Sequence, residues 1–176
     1  ISGQSQLFRK IEAYANDPAN SIGDIVFTGD LFTNQAYLTS QSVETASWLF
    51  GTALANHRVH IIAGNHDFLN DDDSVYSGSF LEHFSNVHVI RHRRETVEIC
   101  GREWTFVPWV FPSEIENLKE WLTEMASRPA EKIAGTVIVG HFDMLGMLME
   151  AGQESLGGLS PALFSRAAGC VISGHY

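Results

Sequence analysis

The chain has 176 residues, 44% apolar and 18% charged, which suits one globular domain that buries its own core and excludes a disordered or fibrous class. Its longest apolar run is far below the ~20 residues needed to span a bilayer, so no membrane association is expected. A net charge of −10 argues against a free-standing nucleic-acid binder that works through a basic surface, though metal ions in a site reverse the local field.

In chain order, residues 4–16 place Leu7, Phe8, Ile11 and Tyr14 on a helix face, which Asp17-Pro18 ends. Residues 24–29 read as a strand. Residues 41–57 carry Val43, Ala46, Trp48-Leu49-Phe50 and Leu54 at helical spacing, and a strand at 58–63 follows. This is a βαβ unit, hence two parallel strands. Asn70-Asp71-Asp72-Asp73-Ser74 reads as a turn or helix start, because consecutive aspartates do not readily aim at one ion and a helix N-terminus favours acids.

Residues 87–90, 96–100 and 103–107 read as short strands in antiparallel hairpins, with turns at Arg91–Glu95 and Gly101-Arg102. The basic run Arg91-His92-Arg93-Arg94 is then a solvated hairpin turn rather than a grip on a phosphate backbone. Glu114–Ser127 is an amphipathic helix with Ile115, Leu118, Trp121, Leu122 and Met125 on one face and Ser113 as N-cap. A strand at 136–139 precedes a Met-rich stretch, Met144 to Met149, read as core packing. Ser160-Pro161 starts a short helix before a strand at 170–173. Cys100 and Cys170 lie in apolar strand patterns and are expected as buried free thiols of a reducing compartment, the cytoplasm. No repeat, linker or low-complexity tract marks a second domain.

Four of these strands end alike. Asp24–Gly29 leads to Asp30, Val59–Gly64 to Asn65-His66-Asp67, Thr136–Gly140 to His141, and Cys170–Gly174 to His175. In an open α/β sheet the ligand crevice lies at the carboxyl ends of strands, so Asp30, Asn65, His141 and His175 should converge. A carboxylate, an amide oxygen and two imidazoles suit Mn²⁺, Fe²⁺, Zn²⁺ or Co²⁺ better than Ca²⁺ or Mg²⁺.

The ordered blocks Gly29-Asp30, Gly64-Asn65-His66-Asp67, Gly140-His141 and Gly174-His175 resemble the calcineurin-like metallophosphoesterase superfamily. Its pattern adds Asp-x-His before the first block and a final His after the last; neither stands in this chain. The resemblance implies a four-layer α/β sandwich with two facing mixed sheets, its N-terminal strand missing, and residues 1–176 as one catalytic domain truncated at both ends. It implies two divalent metal ions, with Mn²⁺ the expected metal. Asp30 would bridge them, and Asn65, His141 and His175 would complete one site. His66 would face the phosphate, steadying charge or protonating the leaving oxygen, and Asp67 would orient its neighbours.

Within the superfamily, Gly-Asp without a following Arg-Gly is unlike the Ser/Thr protein phosphatases. Gly29-Asp30-Leu31-Phe32, Ile62 to Asp67, and the segment from Gly140 through Gly158-Leu159-Ser160-Pro161 to Tyr176 resemble SbcD-like DNA nucleases and phage recombination nuclease subunits. Thr33 departs from them, since many place a His there. That likeness implies exonuclease and endonuclease action on DNA with an SbcC-like coiled-coil ATPase as partner. The alternatives are a phosphodiesterase or phosphatase acting on small or nucleotide substrates, and a binding module without turnover. A pocket closed by Trp109, Phe111 and the 70–80 loop would favour the small substrate.

Overall fold

The computed structural model describes residues 3–32, 37–69, 75–148 and 152–175. Two sheets form. The first has the order β1 (Asp24–Phe27), β2 (Arg58–Ile62), β3 (Val87–Ile90), parallel throughout. The second has the order β4 (Glu95–Ile99), β5 (Arg102–Val107), β6 (Thr136–Gly140), β7 (Cys170–Ser173); it is antiparallel at β4–β5 and parallel beyond.

The two-residue period of a strand explains the layering. On one face of β2, Val59 and Ile61 pack under Phe8 of α1 (Gly3–Ala15), Ala46 of α2 (Ser40–Trp48), and Leu49 and Phe50 of the π-helical turn Leu49–Ala53 that continues α2. From the other face, Ile62 and Ile90 meet Ile99, Phe106, Val137 and Val139 of the second sheet. The outer face of that sheet is covered by Leu118, Leu122 and Met125 of α3 (Ile115–Ala126) and Phe164 of α5 (Pro161–Ala167). Helices, sheet, sheet and helices make the four layers the resemblance implied. No helix among the described residues is long and apolar enough to cross a membrane.

Several expectations are corrected. β3 is not a hairpin partner of β4: it pairs with β2, and residues 91–94 carry the chain from one sheet to the other. Leu7 and Tyr14 are exposed, so the buried face of α1 narrows to Phe8 and Ala15 with Ile11 beside them. Ser113 lies inside a 3₁₀ turn, Pro112–Glu114, and does not cap α3. Met144 is buried, whereas Leu145, Met147 and Leu148 are exposed. Cys100 and Cys170 are free thiols but exposed, Cys100 because it sits in the left-handed turn between β4 and β5. A six-residue helix, α4 (Ala130–Gly135), precedes β6 with too few residues to give a periodic signal. Thr33, the aspartates 71–73 and Met149 lie outside the described residues.

Candidate metal centre

The carboxyl ends of β1, β2, β6 and β7 meet where the two sheets are joined. The Trp109 N–H donates to the Ala63 carbonyl at 2.8 Å, and the His141 N–H to the Val107 carbonyl at 3.1 Å. The first bond places the loop after β2 against the loop after β5, and the second ties the residue after β6 to the end of β5.

Asp30, His141 and His175 each present one ligand-type atom, all within 4.8 Å of one another. His141 is the centre of the group and fully buried. Its Nδ1 lies 2.8 Å from the Thr28 carbonyl, an acceptor only, so Nδ1 carries the proton and Nε2 presents a lone pair. That lone pair faces Asn65 Oδ1 at 3.0 Å, His175 Nδ1 at 3.0 Å and Asp30 Oδ2 at 3.3 Å. Two anionic or neutral oxygens and two imidazole nitrogens thus point at one spot, which requires a proton or a cation among them. The donor set, mixed N and O, fits a divalent transition ion. The structure therefore brings all four strand-end residues together.

The protonation states are those a metal site uses. Burial works to raise the Asp30 carboxyl, but the adjacent His141 imidazole and the hydrogen bond from the His66 N–H outweigh it and hold the group below its ordinary value. Burial, and then repulsion from His141, lowers His175 and favours the neutral imidazole, against the opposing pull of Asp143 and Asp30.

His66 differs from the other four. Its side chain is exposed at the rim, and it joins the group through its backbone N–H, which donates to Asp30 Oδ1 at 2.9 Å. Asp67 is fully buried and turned away. Its carboxylate accepts the N–H groups of Gly64 (2.8 Å), Asp30 (3.0 Å) and Phe32 (3.3 Å), clamping the loops after β1 and β2 together. Burial pushes it up to about 6 against those hydrogen bonds.

Space around the group is tight. A side-chain carbon at Gly29 would collide with the His141 imidazole, and one at Gly64 with the Asp30 carboxylate. Gly29 also has φ +104, which glycine adopts without penalty. Trp109, named from the sequence only as a possible pocket wall, does border the group: its ring centroid lies 5.1 Å from that of His175 and 6.0 Å from that of His141. The parallel register that sets Val107 beside Gly140 brings it there, a pairing no local signal reveals. Phe111, the other aromatic wall that the small-substrate alternative called for, is buried against Phe68 in a cluster on which Trp109 also packs. His57 and His60 are buried structural groups: His57 bonds the Ile22 carbonyl at 2.9 Å, and His60 bonds Asp24 at 3.0 Å.

Among curated proteins, the chain is 26% identical over 161 residues to a protein of Invertebrate iridescent virus 3 that carries the name of a phosphoesterase, 078R. The match covers 89% of this chain and 43% of the viral protein, so the chain spans less than half the length of that relative. The family model for calcineurin-like phosphoesterases matches residues 3–176. With the strand-end group and the two-sheet fold already in place, that match establishes that the chain belongs to the calcineurin-like phosphoesterases, a family that works with divalent metal ions.

Proposed function

We propose that this chain forms the catalytic core of a Mn²⁺-dependent nuclease of the SbcD-like type, hydrolysing DNA phosphodiesters alongside an SbcC-like coiled-coil ATPase. The observation that carries the phosphodiesterase part is the lone pair of His141 Nε2 facing Asn65, His175 and Asp30. Family membership and the name of the viral relative support the phosphoester class. The choice of DNA rests on the likeness of the loops after β1, β2 and β6; of the two aromatic walls an enclosed small-substrate pocket would use, Trp109 borders the group and Phe111 is withdrawn into the core.

Asp30, Asn65, His141 and His175 would hold the metal. Divalent ions bound there would supply charge neutralisation for the phosphate and bring the pKa of water toward ~7. The chain's own residues do the rest. Thr28 fixes the His141 tautomer through its carbonyl, so Nε2 stays a ligand. Asp67 holds the Asp30 and Gly64 backbones at one spacing. His66, exposed at the rim and tied by its N–H to Asp30, would steady phosphate charge or give a proton to the leaving oxygen.

The test is the full-length protein with Mn²⁺ on end-labelled double-stranded DNA, with bis-p-nitrophenyl phosphate alongside. Loss of DNA label is the expected result. Hydrolysis of the small diester with the DNA intact would refute the nuclease reading and assign the enzyme to small or nucleotide substrates.

A further inference from the structure

Beside Trp109 lies a cavity of about 390 Å³, whose lining includes His92, Arg93, Arg94, Trp109, Glu114 and Asn117. It shares the Trp109 wall with the strand-end group, since that indole packs against both His175 and His141. The cross-sheet connection brings the basic residues there. β3 ends beside Ala63, whose N–H donates to the Ile90 carbonyl at 2.9 Å, so residues 91–94 leave the first sheet at its carboxyl edge.

The three arginines of this turn are used differently. Arg91 pairs with Glu82 at 3.1 Å. Arg94 donates to Asn117 Oδ1 at 3.0 Å and lies over the Trp121 ring at 5.0 Å. Burial lowers its pKa, with the exposed Glu114 opposing. Arg93 is exposed and makes no hydrogen bond or ion pair among the described residues. In a chain of net charge −10, an unpaired guanidinium on the wall of a cavity next to the centre is where a polyanion is met rather than repelled.

We infer that this cavity holds the nucleotide unit next to the scissile phosphate, with Trp109 as its stacking wall and Arg93 on the flanking phosphate. This rests on the phosphodiester reading above. The volume lies within the ~300–1,000 Å³ of small-molecule sites, about the size of one nucleotide. A half-buried indole offers a base a ring to stack on without sequence preference.

The test measures binding of a 5′-fluorescein-labelled hexathymidylate to the full-length protein in EDTA, by anisotropy, across a salt series. Arg93→Glu should weaken binding ~10-fold or more and reduce the salt slope by ~0.7, the share of one phosphate contact on a single strand. Arg93→Lys should recover most of it. The Mn²⁺-induced rise in Tm, kept in both variants, checks that the metal group is undisturbed. Unchanged binding in Arg93→Glu overturns the inference, as does a wild type that does not bind the strand. Displacement of the label as readily by dTMP as by the dinucleotide pTpT also overturns it, assigning the cavity to a free nucleotide. Arg93→Glu that binds normally while the wild type releases DNA label with Mn²⁺ would end this inference and leave the nuclease reading standing.

Discussion

Gly64→Ala isolates the steric design of the centre. Gly64 has φ −96 and ψ 176, ordinary extended backbone for alanine, so the substitution brings no conformational strain. The added carbon instead meets the Asp30 carboxylate, the Asp30 backbone nitrogen at 2.5 Å and His141 Cε1 at 2.8 Å. Comfortable carbon contacts lie at ~3.5–4.0 Å, so the loop after β1 must retreat by ~1 Å. Because one of the struck atoms is backbone, a rotamer change does not relieve the clash. Overpacking of this kind costs ~1–3 kcal/mol, a fall in Tm of ~2–12 °C for a chain of this size. A shift of ~1 Å at a reacting centre costs ~100-fold in turnover. Urea unfolding in EDTA reads the first effect, and Mn²⁺ titration by calorimetry with diester hydrolysis reads the second. Gly101→Ala is the control. It meets nothing within 4 Å but stands at φ +72, so it should cost ~1–2 kcal/mol and leave Mn²⁺ binding alone. Gly64→Ala that unfolds within ~0.5 kcal/mol of wild type and binds Mn²⁺ as tightly would refute this account of the packing.

His66→Ala should keep Mn²⁺ binding and lose most turnover, whereas Asp30→Ala should lose both; equal metal loss in the two, measured by calorimetry, would rule out the division of roles. Saturating Mn²⁺ at ~100 times its Kd should stabilise the protein by ~2.7 kcal/mol, a rise in Tm of ~5–11 °C, and chelation should reverse it; a flat Tm would speak against a preformed site. Glu103 is held below its ordinary 4.5, first by its hydrogen bonds with Arg128 and against burial. A depressed carboxyl stabilises the fold above its unfolded pKa, and that contribution is lost as pH falls through the folded value. Both side chains are about a third exposed, so the pair contributes only ~0.2–1 kcal/mol. Thermal melts of wild type and Glu103→Gln should therefore differ at pH 7 and converge as the pH falls past the ordinary 4.5 and through the lower folded value; curves that stay parallel would contradict the assignment.

The strands were legible because each is a short apolar or alternating run closed by glycine or a turn, and all seven among the described residues lie within a few residues of the positions expected. Pairing was not legible in the same way. Val87–Ile90 and Glu95–Ile99 are separated by four residues, a spacing that suits a hairpin. The apolar runs alone do not show that Val89 belongs beside Ile61 of the first sheet. Exposure failed for a related reason. Leu7 and Tyr14 sit at core spacing on α1, yet only part of that face meets the sheet. At the centre, side-chain identity and position were readable from the strand ends. What acts through backbone was hidden: the Thr28 carbonyl that fixes the His141 tautomer belongs to a residue whose side chain signals nothing.

Backbone also explains why the loops after β1 and β2 form one unit. Asp30 stands at φ +52, a left-handed conformation that costs a non-glycine residue ~1–2 kcal/mol. Its neighbours offset this with bonds that cross between the loops in both directions. The Asp30 N–H donates to Asp67 at 3.0 Å, and the Asp30 carboxylate accepts the His66 N–H at 2.9 Å. Each charge-assisted bond of this kind contributes ~1.5–3 kcal/mol, so the pair exceeds the strain it holds. The left-handed turn aims the carboxylate back at His141, where an extended residue would carry it onward with the chain. Asp67, whose carboxylate is taken up by backbone N–H groups of both loops, therefore sets the geometry on which the residues that would hold the ion depend.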